Sequence, residues 1–138
     1  MAGPLFCNAE KEYNLIIRDA LVNAGFDVFL PQESGINADK MHTSDPVKKV
    51  EMGRKIFQKD MAEVEKADIL VINLDGRVPD EGACVELGYA FASGKECFAI
   101  KTDVRTAEFG VDNLMISGAV GGRIARSAEE LVGMLSKI

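Results

Sequence analysis

The chain has 138 residues, of which 47% are apolar and 28% charged, and its formal net charge is −6 with a pI of about 4.8. This length suits one domain over 1–138 with a hydrophobic core of its own. The acidic balance argues against binding to nucleic acid polymers or anionic lipid, and no apolar run approaches the ~20 residues that span a bilayer. We therefore expect a cytoplasmic protein without a membrane partner.

Helical periodicity predicts a first helix over residues 9–24, with Gly25 placed to end it in the left-handed conformation. Residues 26–30 (FDVFL) follow as a predicted short strand that Pro31 ends. Residues 32–46 are polar and rich in turn formers, which predicts a loop and a candidate lid. The residues expected on the inward face of the helix are Tyr13, Ile16, Ile17, Ala20, Leu21 and Ala24.

A second helix is predicted over about 47–66, followed by the nearly continuous apolar run DILVINL (68–74), which is typical of a strand covered on both faces. Next come a loop, a helix within 79–95, a second strand ECFAIK and a short strand GGRIA. Ser127 and Glu130 have capping-box spacing before a final helix. The alternation predicts an α/β fold with a mostly parallel sheet. The second helix would bury Val50, Phe57, Met61 and Val64.

Two carboxylates lie close to predicted apolar faces. Glu86 falls beside a stripe formed by Ala83, Leu87, Ala90 and Phe91 on the third helix, and Asp60 falls beside Phe57 and Val64 on the second. Asp80 stands at the start of the third helix, in a natural N-cap position. Because ligands of open α/β sheets bind outside the carboxyl ends of the strands, all three acids are candidate site residues.

Structural roles are the alternative for each acid. Asp80 suits a plain N-cap, Asp60 suits a surface pair with Lys59 or Lys66, and Glu86 suits a hydrogen bond to a loop backbone. A carboxylate held against apolar walls, however, has a raised pKa and suits a nucleophile or a proton donor. Displacement at the anomeric carbon of a sugar uses both, through an oxocarbenium-like transition state.

Three cysteines, Cys7, Cys84 and Cys97, show neither CxxC spacing nor a histidine cluster, which argues against a disulfide framework and a zinc site. The only histidine, His42, lies in the polar loop and has no second histidine with which to bind a metal. We therefore expect a reducing compartment and neither a metal nor another cofactor.

Five segments of the chain together resemble one enzyme family, the nucleoside 2-deoxyribosyltransferases. The resemblance covers most of the chain and keeps the order of the segments. They are AGPLF (2–6), FLPQ (29–32), IFQKDMAEVEKADILVINLDG (56–76), PDEGACVELGYAFASGK (79–95) and NLM (113–115).

The resemblance implies a flavodoxin-like, doubly wound sheet with helices on both faces, and a role in nucleotide salvage. The implied activity is the two-step, retaining transfer of 2-deoxyribose from a deoxynucleoside to a free nucleobase. Glu86 would be the nucleophile that forms a covalent intermediate, while Asp80 and Asp60 would contact the base and assist its protonation. Asn113 would complete the pocket of a neighbouring subunit, which implies a homodimer or higher homo-oligomer.

Four further positions are weaker candidates for substrate binding. Gly3 and Pro4 form a turn that suits a close backbone approach, although such pairs are also plain turn formers. Gly82 beside Glu86 leaves room for a ligand, or equally for helix packing. Met115 belongs to the NLM segment but is a residue type found more often in the core. In the family a buried first strand precedes AGP, and residues of that strand are not present before Met1.

Two other functions fit the same segments. The related 2′-deoxynucleoside 5′-phosphate N-hydrolases use water as the acceptor, and tend to place serine at the position that matches Asp80. An aspartate there disfavours a dianionic phosphate, so the transferase is preferred. A non-catalytic nucleotide-binding module of the same fold is the alternative of another class, because fold does not determine function.

Overall fold

A computed structural model describes residues 1–34, 44–106 and 110–138. Three parallel strands form the sheet in the order β1 (Ile69–Asn73), β2 (Glu96–Ile100) and β3 (Ile124–Ala125). Ile69 is opposite Glu96, and Ala99 is opposite Ile124. The predicted parallel α/β sheet is confirmed at all three segments.

Five helices connect and cover these strands within the described part of the chain. Asp45 and Asp80 cap the second and third helices, and Ser127 caps the last one. The four predicted helices are present within three residues of their expected ends. The helices are α1 (Asn8–Asn23), α2 (Pro46–Lys66), α3 (Glu81–Ala92), α4 (Leu114–Ala119) and α5 (Ala128–Leu135).

The sheet separates two hydrophobic clusters. Alternate residues of β1 point to opposite faces, so Ile72 packs with Val64 of α2 and Leu87 of α3, whereas Val71 packs with Leu21 of α1 and Leu131 of α5. Helices therefore lie on both faces, which confirms the predicted doubly wound architecture. No helix of the described ranges combines the length and apolarity needed to cross a membrane.

The predicted strand over residues 26–30 is wrong, because that segment forms no ladder with the described residues. Met1 and Ala2 lie between this segment and β1. Ala2 makes a parallel bridge to Ile72, and the Met1 amine donates to the Phe29 carbonyl over 2.9 Å.

Some of the residues predicted on the inward faces of the helices are exposed. Val50 and Phe57 of α2 are 66% and 59% exposed, whereas Val64 is buried. The 21 residues of α2 extend about 31 Å, while a five-residue strand extends only about 17 Å, so the first half of α2 projects past the sheet. The other predicted inward residues that are exposed are Ile16, Ala24 and Phe91.

The polar loop predicted over residues 32–46 contains a short 3-10 helix, Pro31–Glu33, at its start. Residues 35–43, including His42, lie outside the described residues. The role of this loop as a lid therefore stays a prediction. At the other end, Asp45 accepts a hydrogen bond from the Val47 amide, and Pro46 occupies the first position of α2.

Candidate active site

A cavity of about 530 Å³ lies beside β1, on the side away from β2. Asp60 of α2 and Glu86 of α3 both line it, as do Met1, Pro31 and Val64. Two carboxylates from different helices are thus brought to one partly apolar cavity. The sequence expectation that Asp60 and Glu86 lie near each other agrees with this arrangement, whereas their chemical roles stay predictions.

Glu86 lies in a half-buried position on α3, one residue before the buried Leu87. The pKa of the Glu86 carboxyl is raised to about 7, chiefly by burial and in addition by the negative charges of Asp60 and Asp80, while the charge of the Met1 amine opposes the increase. Loss of hydration disfavours the charged form, and nearby like charges act in the same direction. Near neutral pH the Glu86 carboxyl is therefore protonated in part of the molecules and charged in the rest.

Asp60 is also half-buried, and burial is the main cause that raises its pKa. Lys59 opposes the increase and Glu63 adds to it. Lys59 itself donates to the Ser34 carbonyl over 2.8 Å, and Lys66 pairs with Glu63. The predicted surface pair of Asp60 with a lysine is therefore not present in the described contacts.

Asp80 is the N-cap of α3, and its Oδ1 accepts the Ala83 amide over 2.7 Å. The predicted N-cap position of this residue is confirmed. Asp80 does not line the cavity, although its charge reaches Glu86. A Cβ atom at Gly82 would come within 3.2 Å of the same Oδ1, so the glycine leaves space for the capping carboxylate.

Two buried amides that the sequence reasoning missed hold the Gly3–Pro4 turn. Asn14 donates to the Pro4 carbonyl over 2.9 Å and accepts from Asn73 over 2.9 Å. A Cβ atom at Gly3 would approach Asn73 Cβ to 2.9 Å, so only glycine fits there. A polar residue ending the apolar run DILVIN was the available signal for Asn73, since a buried amide needs partners.

Asn113 and Met115 lie apart from the cavity in this single chain. Asn113 is the N-cap of α4, where its Oδ1 accepts the amides of Met115 and Ile116. Met115 is 83% exposed, so the alternative that it belongs to the core is wrong, while its role as a weak binding candidate stays a prediction. Helix α4 has six residues, which is too few for helical periodicity to indicate its buried side.

Comparison with known proteins gives a family match over residues 1–121, to the model described as nucleoside 2-deoxyribosyltransferase. No curated protein matches the chain significantly. Among solved structures, a conserved protein from Enterococcus faecalis V583 has a TM-score of 0.78 at 27% identity, with 99% of this chain and 94% of that chain covered.

Two further solved structures share the fold at lower identity. The 2-deoxyribosyltransferase from Bacillus psychrosaccharolyticus has a TM-score of 0.70 at 22% identity, covering 86% of this chain and 79% of that chain. The 2-desoxiribosyltransferase from Leishmania mexicana has a TM-score of 0.69 at 24% identity, covering 99% of this chain and 94% of that chain. Because the family match extends over 121 of the 138 residues, the chain belongs to the nucleoside 2-deoxyribosyltransferase family.

Proposed function

We propose that this protein transfers 2-deoxyribose from a deoxynucleoside to a free nucleobase, with retention at the anomeric carbon, as part of nucleobase salvage. The observation that carries the proposal is the half-buried Glu86, whose pKa is raised to about 7 in a cavity it shares with Asp60. Family membership supplies the substrate class.

In the first step, a Glu86 carboxylate oxygen bonds to C1′ of the deoxyribose while the bond from C1′ to the base nitrogen breaks. The departing base keeps the electron pair and takes a proton. In the second step a nitrogen of the acceptor base bonds to C1′, releases its own proton, and Glu86 leaves as a carboxylate. Two inversions give net retention, and the charge of Glu86 stabilises the oxocarbenium-like transition states.

Asp60 is our proposed proton donor to the departing base. Its raised pKa keeps a larger fraction of the carboxyl protonated than an ordinary aspartate has. Asp80, our other proposed base-contacting acid, already accepts a backbone amide with one oxygen. We therefore propose that Asp80 accepts an N–H group of the base, while Asp60 gives the proton.

We favour an uncharged deoxynucleoside as the substrate over a deoxynucleoside 5′-phosphate. The 5′-phosphate is what distinguishes the substrate of the N-hydrolase alternative. Asp60, Asp80 and Glu86 together place negative charge around the cavity, and a dianionic phosphate close to them would be repelled. The acceptor in our proposal is therefore a second nucleobase rather than water.

The test is incubation of the protein with deoxyinosine, with and without free adenine, followed by chromatography. We expect deoxyadenosine and hypoxanthine when adenine is present. Free deoxyribose in both incubations would instead indicate hydrolysis. Absence of any reaction over a panel of deoxynucleosides, with ligand binding retained, would support the non-catalytic module and overturn the proposal.

Asp60→Asn tests the proposed proton donor. The variant keeps the shape of the side chain but has no proton to give, so we expect kcat to fall about 100-fold. Removing the Asp60 charge also lowers the pKa of Glu86, so the acidic limb of the kcat/KM profile should move to lower pH. An unchanged kcat or an unmoved limb would contradict this role. The matched control is Glu51→Gln, which removes an exposed carboxylate from the same helix outside the cavity.

We also propose that the protein is a homo-oligomer in which Asn113 completes the site of a neighbouring subunit. In support, Asn113 is exposed, its neighbour Leu114 is 50% exposed, and both lie apart from the cavity of their own chain. Mixing and reassembling inactive Asn113→Ala with inactive Glu86→Ala should restore part of the exchange activity, because mixed assemblies contain intact sites. A mixture as inactive as its components, despite proven subunit exchange, would contradict the shared site.

A further inference from the structure

A buried carboxylate lies directly before Asn113 in the chain. Among the residues that the structure describes, Asp112 is the only carboxylate that is buried. Burying a charged side chain costs free energy unless opposite charges and hydrogen bonds replace its water. The position of Asp112 is therefore set by the groups that contact it.

Two cations hold this carboxylate from neighbouring strands. Lys101 directly follows β2, and its Nζ donates to Asp112 Oδ1. Arg126 directly follows β3, and its Nη2 donates to Asp112 Oδ2 over 3.2 Å. The Lys101 amide donates to the Ala125 carbonyl over 2.9 Å, so both cations start from paired strand ends. We call Lys101, Asp112 and Arg126 the clasp.

The clasp is better shielded from water than the other ion pairs of the described residues. The side chains of Lys101 and Asp112 are 13% and 8% exposed, whereas both members of the pair between Lys55 and Glu51 on α2 are above 60%. Exposed pairs contribute little because water and salt screen them, while a shielded pair that loses one member leaves a buried charge unpaired. The clasp therefore fixes the chain at Asp112.

The next residue, Asn113, is held on its other side by α4. Its Oδ1 accepts the amides of Met115 and Ile116 over 3.0 and 3.2 Å, and the Ile116 side chain belongs to the core. The Ser117 hydroxyl donates to the Asp112 carbonyl over 3.5 Å. Because an amide oxygen has two lone pairs, the Asn113 Oδ1 is fully used. Its Nδ2 group, which has no partner within the described residues, is therefore the part that is left to contact a ligand.

We propose that Asp112 is a positioning residue, which holds Asn113 so that its Nδ2 group donates a hydrogen bond to an oxygen of the deoxyribose in the neighbouring subunit's site. This inference rests on the shared site of the proposed function. The residues of the clasp do not line the cavity of their own chain, so they act through Asn113. A displacement of about 1 Å is enough to lose much of such a contact.

Hydrogen exchange tests the positioning independently of activity. Asp112→Asn keeps the shape of the side chain but removes the charge that both cations hold. The Ser117 amide donates to the Asn113 carbonyl over 2.9 Å, so it reports on the start of α4. In the variant we expect this amide to exchange at least about tenfold faster, beyond any change in the β1 amides that report global unfolding. The control is Glu96→Gln, which breaks an ion pair with Arg123 and should leave the Ser117 amide unchanged.

Mixed assemblies separate positioning from a general structural role. The reference mixture joins Asn113→Ala, which keeps Glu86, with Glu86→Ala, which keeps Asn113. Adding Asp112→Asn to the chain that supplies Asn113 should lower the restored base exchange at least about tenfold. Adding it to the chain that already lacks Asn113 should change the restored rate by less than about twofold, because Asp112 has no Asn113 side chain to position there.

Equal losses at the two placements would overturn the proposal, since a purely structural role does not depend on which chain supplies Asn113. Unchanged hydrogen exchange at Ser117 would overturn it as well. An inactive reference mixture would refute the shared site, and this inference with it, before Asp112 is changed, so the two failures are distinguishable. If Asp112→Asn does not fold, Arg126→Gln removes one of the two cations and should give the same asymmetry, of about threefold.

Discussion

Glu86→Ala should lose base exchange in the deoxyinosine and adenine incubation by roughly 1,000-fold or more, because in the proposed mechanism the covalent intermediate forms on the Glu86 carboxylate. Glu86→Gln should be equally inactive, since it keeps the length and shape of the side chain but carries no charge. Glu86→Asp, with its carboxylate set back by one methylene, should retain only a small residual rate. The measurement is the initial rate of deoxyadenosine formation at saturating substrate.

Glu81→Gln is the matched control for these variants. Glu81 lies in the first turn of the same helix, is exposed, and does not line the cavity. Its replacement should leave the exchange rate within about twofold of the unchanged protein. If Glu86→Gln kept the rate of this control while remaining folded, the nucleophile would have to be another residue.

Glu86→Gln should also be more stable than the unchanged protein at pH 8. The pKa of Glu86 is about 7 in the folded chain and 4.5 in the reference state, so the folded chain binds the proton more tightly. The contribution of Glu86 to the free energy of unfolding is therefore fully present below pH 4.5 and is lost as the pH rises through about 7. Glutamine avoids that loss, and we expect a gain of roughly 1 to 3 kcal/mol at pH 8.

Urea unfolding at pH 5 and pH 8 measures this effect as the difference between variant and unchanged protein. The gain at pH 8 should exceed that at pH 5, where most of the Glu86 contribution is still present. The control is Glu12→Gln, which removes an exposed carboxylate from α1. Its effect on the free energy of unfolding should be the same at pH 5 and pH 8. Identical differences for Glu86→Gln at the two pH values would mean that Glu86 is not held in a desolvated position. Increased stability with lost activity is the expected signature of a strained functional group.

Local patterns in the sequence were sufficient for most of the secondary structure. The apolar run DILVINL and the segment ECFAIK became β1 and β2, because strands buried on both faces carry few polar residues. Asp80 and Ser127 mark helix starts correctly, since capping depends on residues two or three positions away. The position of Glu86 beside Ala83, Leu87 and Ala90 follows from helical periodicity alone.

The tertiary structure decided which apolar residues are covered. Periodicity places Phe57 and Val64 on one face of α2, but only Val64 lies above the sheet, because the helix is longer than the strands. FDVFL has the composition of a strand, yet a strand needs a paired neighbour, and within the described residues this segment joins no ladder.

The sequence by itself determined the α/β class, the family resemblance and the acids to consider, because these depend on residue type and short spacing. Only the tertiary structure placed Asp60 and Glu86 at one cavity and joined Asn14 to Asn73 across 59 positions of the chain. Contacts between distant segments and the desolvation that raises a pKa arise when helices pack on a sheet, so no local pattern encodes them.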